Sequence, residues 1–130
     1  MLPVPEPPVP SETEWALLEA LWDMDRATAR EVADRLRPSR GWARSTVKTL
    51  LDRMADKGLV TARQVGNVWE YVAAVEPADA RRSAFRRFVA HAFGGAMAPA
   101  LEFLAGDARL SASERRNLRT LLAKKGGNRG

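Results

Sequence analysis

The chain contains no cysteine and only one histidine among its 130 residues. Without cysteine there is no disulfide framework, no thiolate nucleophile and no cysteine metal site. The lone histidine, His91, lies on an apolar stretch with no second ligand or paired carboxylate at helical spacing, so neither a metal site nor a general base is expected there. Long hydrophobic runs are also missing. The most apolar stretch, residues 92–105, is shorter than the about 18 residues a membrane span needs, and Glu102 interrupts it. A basic start and apolar core of the secretory type are absent, which makes the cytoplasm the expected compartment. No nucleophile–base pair, glycine-rich phosphate cradle or paired-carboxylate arrangement appears, so no enzymatic activity, cofactor or metal is expected.

Basic residues outnumber acidic ones, 21 against 16, for a formal charge of +5 and a sequence pI of about 10.4. That balance favours a polyanionic partner. With 45% hydrophobic and 28% charged residues, the chain reads as one folded domain, or one small domain with an appended helical piece.

Residues 1–10 hold five of the eight prolines and read as a flexible, extended arm. Ser11-Glu12-Thr13-Glu14 is a capping box, in which hydroxyl and carboxylate each satisfy one backbone donor. Trp15, Leu18, Leu21 and Trp22 follow at helical spacing, predicting a helix over about 11–23. A second box, Thr28-Ala29-Arg30-Glu31, opens a short helix with Val32 and Leu36 on one face and Pro38 as its expected end.

Residues 42–58 carry the most information. At 100° per residue, Val47, Leu50, Leu51, Met54 and Ala55 gather on one side of a helix, and Ser45, Thr46, Lys48, Thr49 and Arg53 on the other. Cations neutralise phosphates and hydroxyls bond to phosphate oxygens or base edges, so the second face suits a DNA major groove. An ordinary amphipathic surface helix would show the same pattern. Ser45 and Thr49 point most directly outward. Lys48 and Arg53 lie to the flanks, where phosphate contact is expected, and Arg44 sits nearer the apolar side. Asp52 and Asp56 also face outward: either the groove contact ends near Thr49, the favoured reading, or Asp52 accepts from a cytosine amino group. Gly58 is the expected left-handed terminator.

The period then changes. Residues 59–63 and 68–72 are short β-prone runs around Gln64-Val65-Gly66-Asn67, predicting a hairpin with Trp69 and Tyr71 packed inward. Three helices and a hairpin form the winged-helix order, with the third helix as reader and the hairpin as wing. Arg63, Gln64 and Asn67 are candidates for gripping the DNA backbone, though a solvated turn fits them equally. The tryptophans read as core, with Trp42 free to pack beneath the wing or touch the backbone.

From Pro77 the chain is helical again, with Phe85, Phe88, Val89 and Phe93 in an apolar stripe. Arg81, Arg82, Arg86 and Arg87 read as a solvated face rather than a second DNA site. Gly94-Gly95 interrupts the helix, and a second covers about 96–105 with Leu101, Phe103 and Leu104. Ser111-Ala112-Ser113-Glu114 caps a last helix carrying Leu118, Leu121 and Leu122, with a frayed tail from about 124. These helices are too few to enclose a core, so their stripes are expected to pair with a second chain rather than fold back. The predicted class is mostly α: a flexible arm (1–10), a winged-helix DNA-binding domain (11–75), a helical dimerisation region (76–124) and a disordered tail (125–130).

Glu14-Trp15, Leu21-Trp22, Thr28-Ala29-Arg30-Glu31-Val32, Trp42, the run Ser45-Thr46-Val47-Lys48-Thr49-Leu50-Leu51 with Arg53, and Lys57-Gly58-Leu59 together resemble the penicillinase and methicillin-resistance repressors of the BlaI/MecI type. The likeness spans about 11–122. It implies a repressor that dimerises through its C-terminal helices and occupies a palindromic operator in double-stranded DNA. Family members commonly carry lysine just before the threonine of the third helix. Here that residue is Ser45, preceded by Arg44. The β-lactam branch is inactivated by a sensor protease cutting an asparagine–phenylalanine bond, and the matching place here is Glu102-Phe103, which departs from that pattern. The cysteine cluster of the copper-responsive branch is absent, which excludes copper sensing by thiolates. Two other readings stay open: a winged-helix module that docks on protein, and a general DNA coat without a preferred site.

Overall fold

A computed structural model describes residues 8–106 and 109–127. By packing, the chain divides into two compact units, Met1–Arg87 and Phe88–Gly130. The expected boundary lay at 75/76, whereas the two compact units meet after Arg87.

The first unit is built from α1 (Glu12–Met24), β1 (Ala27–Thr28), α2 (Ala29–Arg40), α3 (Arg44–Lys57), β2 (Val60–Val65), β3 (Val68–Ala73) and most of α4 (Pro77–Ala92). Both expected capping boxes form. The Ser11 backbone N–H donates to Glu14 Oε1 at 2.8 Å and the Glu14 N–H to Ser11 Oγ at 3.2 Å. Thr28 and Glu31 repeat the exchange at 2.9 and 3.2 Å. Each box satisfies donors that a helix start leaves unpaired.

Pro38 does not end α2, contrary to expectation: the helix continues through Arg40 and stops at Gly41, in left-handed conformation at φ 66°. Proline removes only its own N–H from the ladder. Within the last turn that loss is tolerable, because the Gly41 N–H donates to Arg37 O at 3.0 Å and Ser39 Oγ donates to Leu36 O at 3.3 Å.

The sheet has strand order β1-β3-β2. The two-residue β1 was not anticipated. It follows a tight reversal in which Asp25 takes φ 71°, ψ −55° and the Arg26 N–H donates to Met24 O at 2.8 Å. That geometry is a γ-turn, which leaves no periodicity to read. Ala27 and Thr28 then pair with Tyr71 and Glu70. The hairpin is longer and tighter than predicted. Val65 pairs with Val68, leaving only Gly66 and Asn67 in the loop, and Gly66 supplies the positive φ (64°) such a loop needs.

Leu17, Leu18, Leu21, Val32, Val47, Leu51, Met54, Leu59, Val60 and Tyr71 are fully buried and form one core. Trp22 and Trp42 pack against it, and Trp22 Nε1 donates to Val75 O at 3.0 Å. Trp69 does not pack inward. It shares a face with Tyr71 but stays 43% exposed, because the hairpin runs on past the helices and only its inner end meets the core.

Residues 1–7 of the expected arm lie outside the described residues, and Pro10 is buried. Lys57, at the end of α3, donates from Nζ to Val9 O at 3.3 Å and to Glu14 Oε1 at 2.8 Å. Burial alone would raise the Glu14 carboxyl. The Lys57 hydrogen bond, the Ser11 backbone bond and the Lys57 charge outweigh burial and hold it below the usual glutamate range.

In the second unit, Gly94 and Gly95 break the chain with positive φ, α5 spans Met97–Gly106 and α6 spans Ala112–Gly127. The third box forms as expected: the Ser111 N–H donates to Glu114 Oε1 at 2.9 Å and the Glu114 N–H to Ser111 Oγ at 3.0 Å. The α6 backbone stays helical past the expected fraying point at 124, as far as Gly127. The rest of that expectation, 128–130, lies outside the described residues. Among the described residues no single helix is long and apolar enough to cross a membrane.

A carboxyl whose pKa falls on folding stabilises the fold above its unfolded pKa, and that contribution is lost as pH drops through the folded value. Glu14→Gln keeps the cap acceptor but removes the charge. It is therefore expected to cost about 1 kcal/mol or less at neutral pH, with the difference from wild type closing between roughly pH 5 and pH 3. Chemical denaturation across that range checks it. A constant difference would assign the loss to packing.

Candidate nucleic-acid interface

α3 starts after Ala43 without a side-chain cap and ends at Gly58, left-handed at φ 89° as predicted. Val47, Leu51 and Met54 are fully buried, and Leu50 and Ala55 are half-buried. With that side inside, helical rotation turns Ser45, Thr46, Thr49 and Arg53 to solvent. Ser45, Thr46, Thr49 and Arg53 line one shallow open depression with Leu50.

Thr49 Oγ1 donates to Ser45 O at 3.0 Å. Its proton is thus spent within the helix, and the oxygen faces outward as an acceptor. Arg53 makes no ion pair among the described residues. Arg44 leans back toward α2, 4.0 Å from an Asp34 carboxylate that Arg37 already holds at 3.0 Å.

Lys48 is engaged differently. Its Nζ donates to both oxygens of Asp52, at 2.9 Å to Oδ1 and 2.7 Å to Oδ2. It also sits 5.7 Å from the centroid of the Tyr71 ring, within cation–π range. The Tyr71 hydroxyl donates to Asp52 Oδ1 at 2.6 Å. Tyr71 is on β3, so one carboxylate links the third helix to the wing. The hydrogen bond to Asp52 and the neighbouring Tyr71 raise the Lys48 ammonium. Burial pushes Asp52 up, but its bonds from Lys48 and Tyr71 bring it below the usual aspartate range. Tyr71 is raised by burial and then by its bond to Asp52.

On the wing, Arg63 sits directly across from Glu70, 3.5 Å away as an ion pair. Asn67 is exposed at the tip, and Gln64 is exposed opposite Trp69. Sequence reasoning placed Asp52 outward but missed its partners. The Lys48–Asp52 spacing of four residues was a readable signal, whereas Tyr71 comes from a distant strand and left none.

The residues expected to associate divide into two groups. Phe85, Phe88, Leu101, Phe103, Leu118, Leu121 and Leu122 are exposed, from 36% for Leu118 to 59% for Leu122. Val89 is buried, and Phe93 and Leu104 are half-buried within the chain itself. Phe93 meets Phe88 edge-to-face at 5.7 Å. Glu102 and Phe103 are exposed in the middle of α5.

Three helices, a short strand and a hairpin wing, with the third helix turning hydroxyls and an unpaired arginine outward, define the winged helix-turn-helix class. The fold matches the solution structure of the DNA-binding domain of the repressor BlaI, with a TM-score of 0.50 and 24% identity over 58% of this chain and 90% of that one. The pattern of the penicillinase repressor family matches residues 10–124, and the chain belongs to that family of DNA-binding transcriptional repressors. It is similar to the methicillin resistance regulatory protein MecI of Mammaliicoccus sciuri, at 27% identity over 116 residues, covering 88% of this chain and 94% of that protein. A 16.5 kDa protein from the ptsI 3′ region of Latilactobacillus sakei is 29% identical over 113 residues, covering 87% of this chain and 77% of that one.

Proposed function

We propose that the chain is a homodimeric, sequence-specific repressor that occupies a palindromic operator in the cytoplasm. Each protomer lays α3 in a major groove, with half-sites about one or two duplex turns apart. The observation that carries the reading is the outer face of α3, where Ser45, Thr46 and Thr49 present hydroxyls beside the unpaired Arg53. In this reading Thr49 accepts from a base amino group and Ser45 and Thr46 contact base edges or phosphate. Arg44, Lys48 and Arg53 approach phosphates from the helix flanks, and Arg63 and Asn67 do so from the wing. No residue is given a catalytic role and no cofactor is required.

Residues 11–75 carry the DNA contacts and 76–124 the self-association. What supports the dimer is the apolar surface that one chain leaves uncovered on α4, α5 and α6. Exposed side chains of this size, in such number, mark an interaction surface. Two linked readers gain the effective concentration of a second half-site, so a signal that weakens the dimer releases the operator. The Glu102–Phe103 bond is the candidate point for a sensor protease. It lies within α5, so cutting requires local unwinding.

Selection of bound fragments from genomic DNA, followed by reading their shared sequence, tests the function as a whole. A two-fold symmetric consensus is expected. No enrichment would leave the protein-docking module as the better account. Arg53→Ala is expected to make the salt slope of binding shallower by about 0.9 on all sequences; an unchanged slope removes Arg53 from the phosphate contacts. Thr49→Ala is expected to change preference among operators more than total affinity, while Thr49→Ser retains the preference. Equal losses on selected and random duplex would exclude base reading. Phe88→Asp is expected to shift the particle from two chains toward one in sedimentation and to weaken operator binding with it. A dimer unaffected by that charge would move the interface off the α4 stripe.

A further inference from the structure

The Lys48–Asp52–Tyr71 cluster is not explained by the need to bind phosphate. A carboxylate on the reading helix repels DNA, and here it also holds a cation that could otherwise serve it. An exposed Lys–Asp pair four residues apart on a helix contributes little by itself. This pair differs in one respect: Asp52 Oδ1 is also fixed at 2.6 Å by the hydroxyl of a fully buried tyrosine nineteen residues away on the wing strand. Asp52 thus has a second anchor, whereas the Lys48 ammonium has no hydrogen-bond partner but Asp52 among the described residues.

We propose, resting on the reading of α3 as a DNA-reading helix, that Asp52 is a specificity-determining positioning residue that occupies Lys48 in the unbound protein and yields it only to a phosphate set in place by correct seating of α3. Two consequences follow from charge and geometry. First, the engaged pair is close to neutral, so Lys48 adds little to the counterion release that drives indiscriminate binding. Second, a competing phosphate must displace two contacts of 2.7 and 2.9 Å. A loosely placed phosphate does not match that geometry; one held by the remaining contacts of a fitted groove does. When Lys48 leaves, Asp52 keeps the Tyr71 bond, so its charge is not stranded. The same bond ties α3 to β3, so groove and wing contacts are set together.

The test uses the full chain as wild type, Asp52→Asn, Lys48→Met and the double variant, titrated by fluorescence anisotropy. The probes are a random-sequence duplex and the duplex recovered by genomic selection, at roughly 50 to 200 mM salt. Asp52→Asn is nearly isosteric and lies on the solvent side; a thermal melt confirms that it folds. It is expected to tighten random-duplex binding and steepen its salt slope by about 0.9, so that the gain shrinks three- to fourfold across that salt range. The selected-to-random affinity ratio falls accordingly. Lys48→Met in the Asp52→Asn background is expected to abolish the gain. Tyr71→Phe leaves the Lys48–Asp52 pair and both charges intact, so the salt slope on random duplex is expected to stay at the wild-type value; a slope steepened as in Asp52→Asn would overturn the assignment of Lys48 capture to the carboxylate.

An unchanged slope in Asp52→Asn overturns the proposal. So does a gain that survives without Lys48, because it would then reflect only the loss of a repelling charge. Failure of the underlying reading is distinct: the wild-type protein would select no sequence at all.

Discussion

The burial of one side of α3 is the constraint on which the rest depends. Val47, Leu51 and Met54 lie in a core with Leu17, Leu18 and Leu21 of α1, Val32 of α2, and Leu59, Val60 and Tyr71 of the hairpin side. Once those three side chains are inside, a period of 3.6 residues leaves Ser45, Thr46, Thr49 and Arg53 no position but the outside. A rotation of one residue would drive Lys48 and Asp52 into an apolar site, at the cost of desolvating charge. The outward face of α3 is therefore fixed by what lies behind it, and the hydroxyls do nothing to stabilise their own exposure.

That core also explains why an acid stands on a basic face. Tyr71 is the largest fully buried side chain, and a buried phenol needs an acceptor for its proton. Asp52 provides it from the rim of the core, and Lys48 in turn balances Asp52. Among the described residues no buried side-chain polar atom lacks a partner. The cluster thus meets a packing requirement and at the same time leaves a carboxylate on the outward side of α3.

The C-terminal unit follows a different logic. Its capping box and glycine break form as their local chemistry directs. Yet Leu101, Phe103, Leu121 and Leu122 remain about half exposed or more. Short amphipathic helices bury a stripe only against a surface wide enough to cover it, and one chain supplies too little. Val89 and Ala100 are the apolar side chains this unit does bury.

Much of the fold was legible because it is written in local chemistry. Three capping boxes marked three helix starts, Gly58 marked the end of α3, and the apolar spacing of 47, 51 and 54 gave the buried side. Each depends on residues within one or two turns of each other. Where local signals are weak the sequence misleads: Pro38 has the chemistry of a stop, but in the last turn of α2 its missing N–H is tolerated, and β1 is too short to show a period. Trp69 and Tyr71 share a strand face, and alternation alone could not say that one is covered and the other is not. By itself the sequence determined where three helices begin and where α3 ends, which side of α3 is apolar, and that no cysteine chemistry is possible. Only the tertiary structure decided that the Lys48–Asp52 pair is joined by Tyr71. Burial and hydrogen bonding depend on which distant surface arrives, and the return of β3 alongside the helices brings the single tyrosine to that carboxylate.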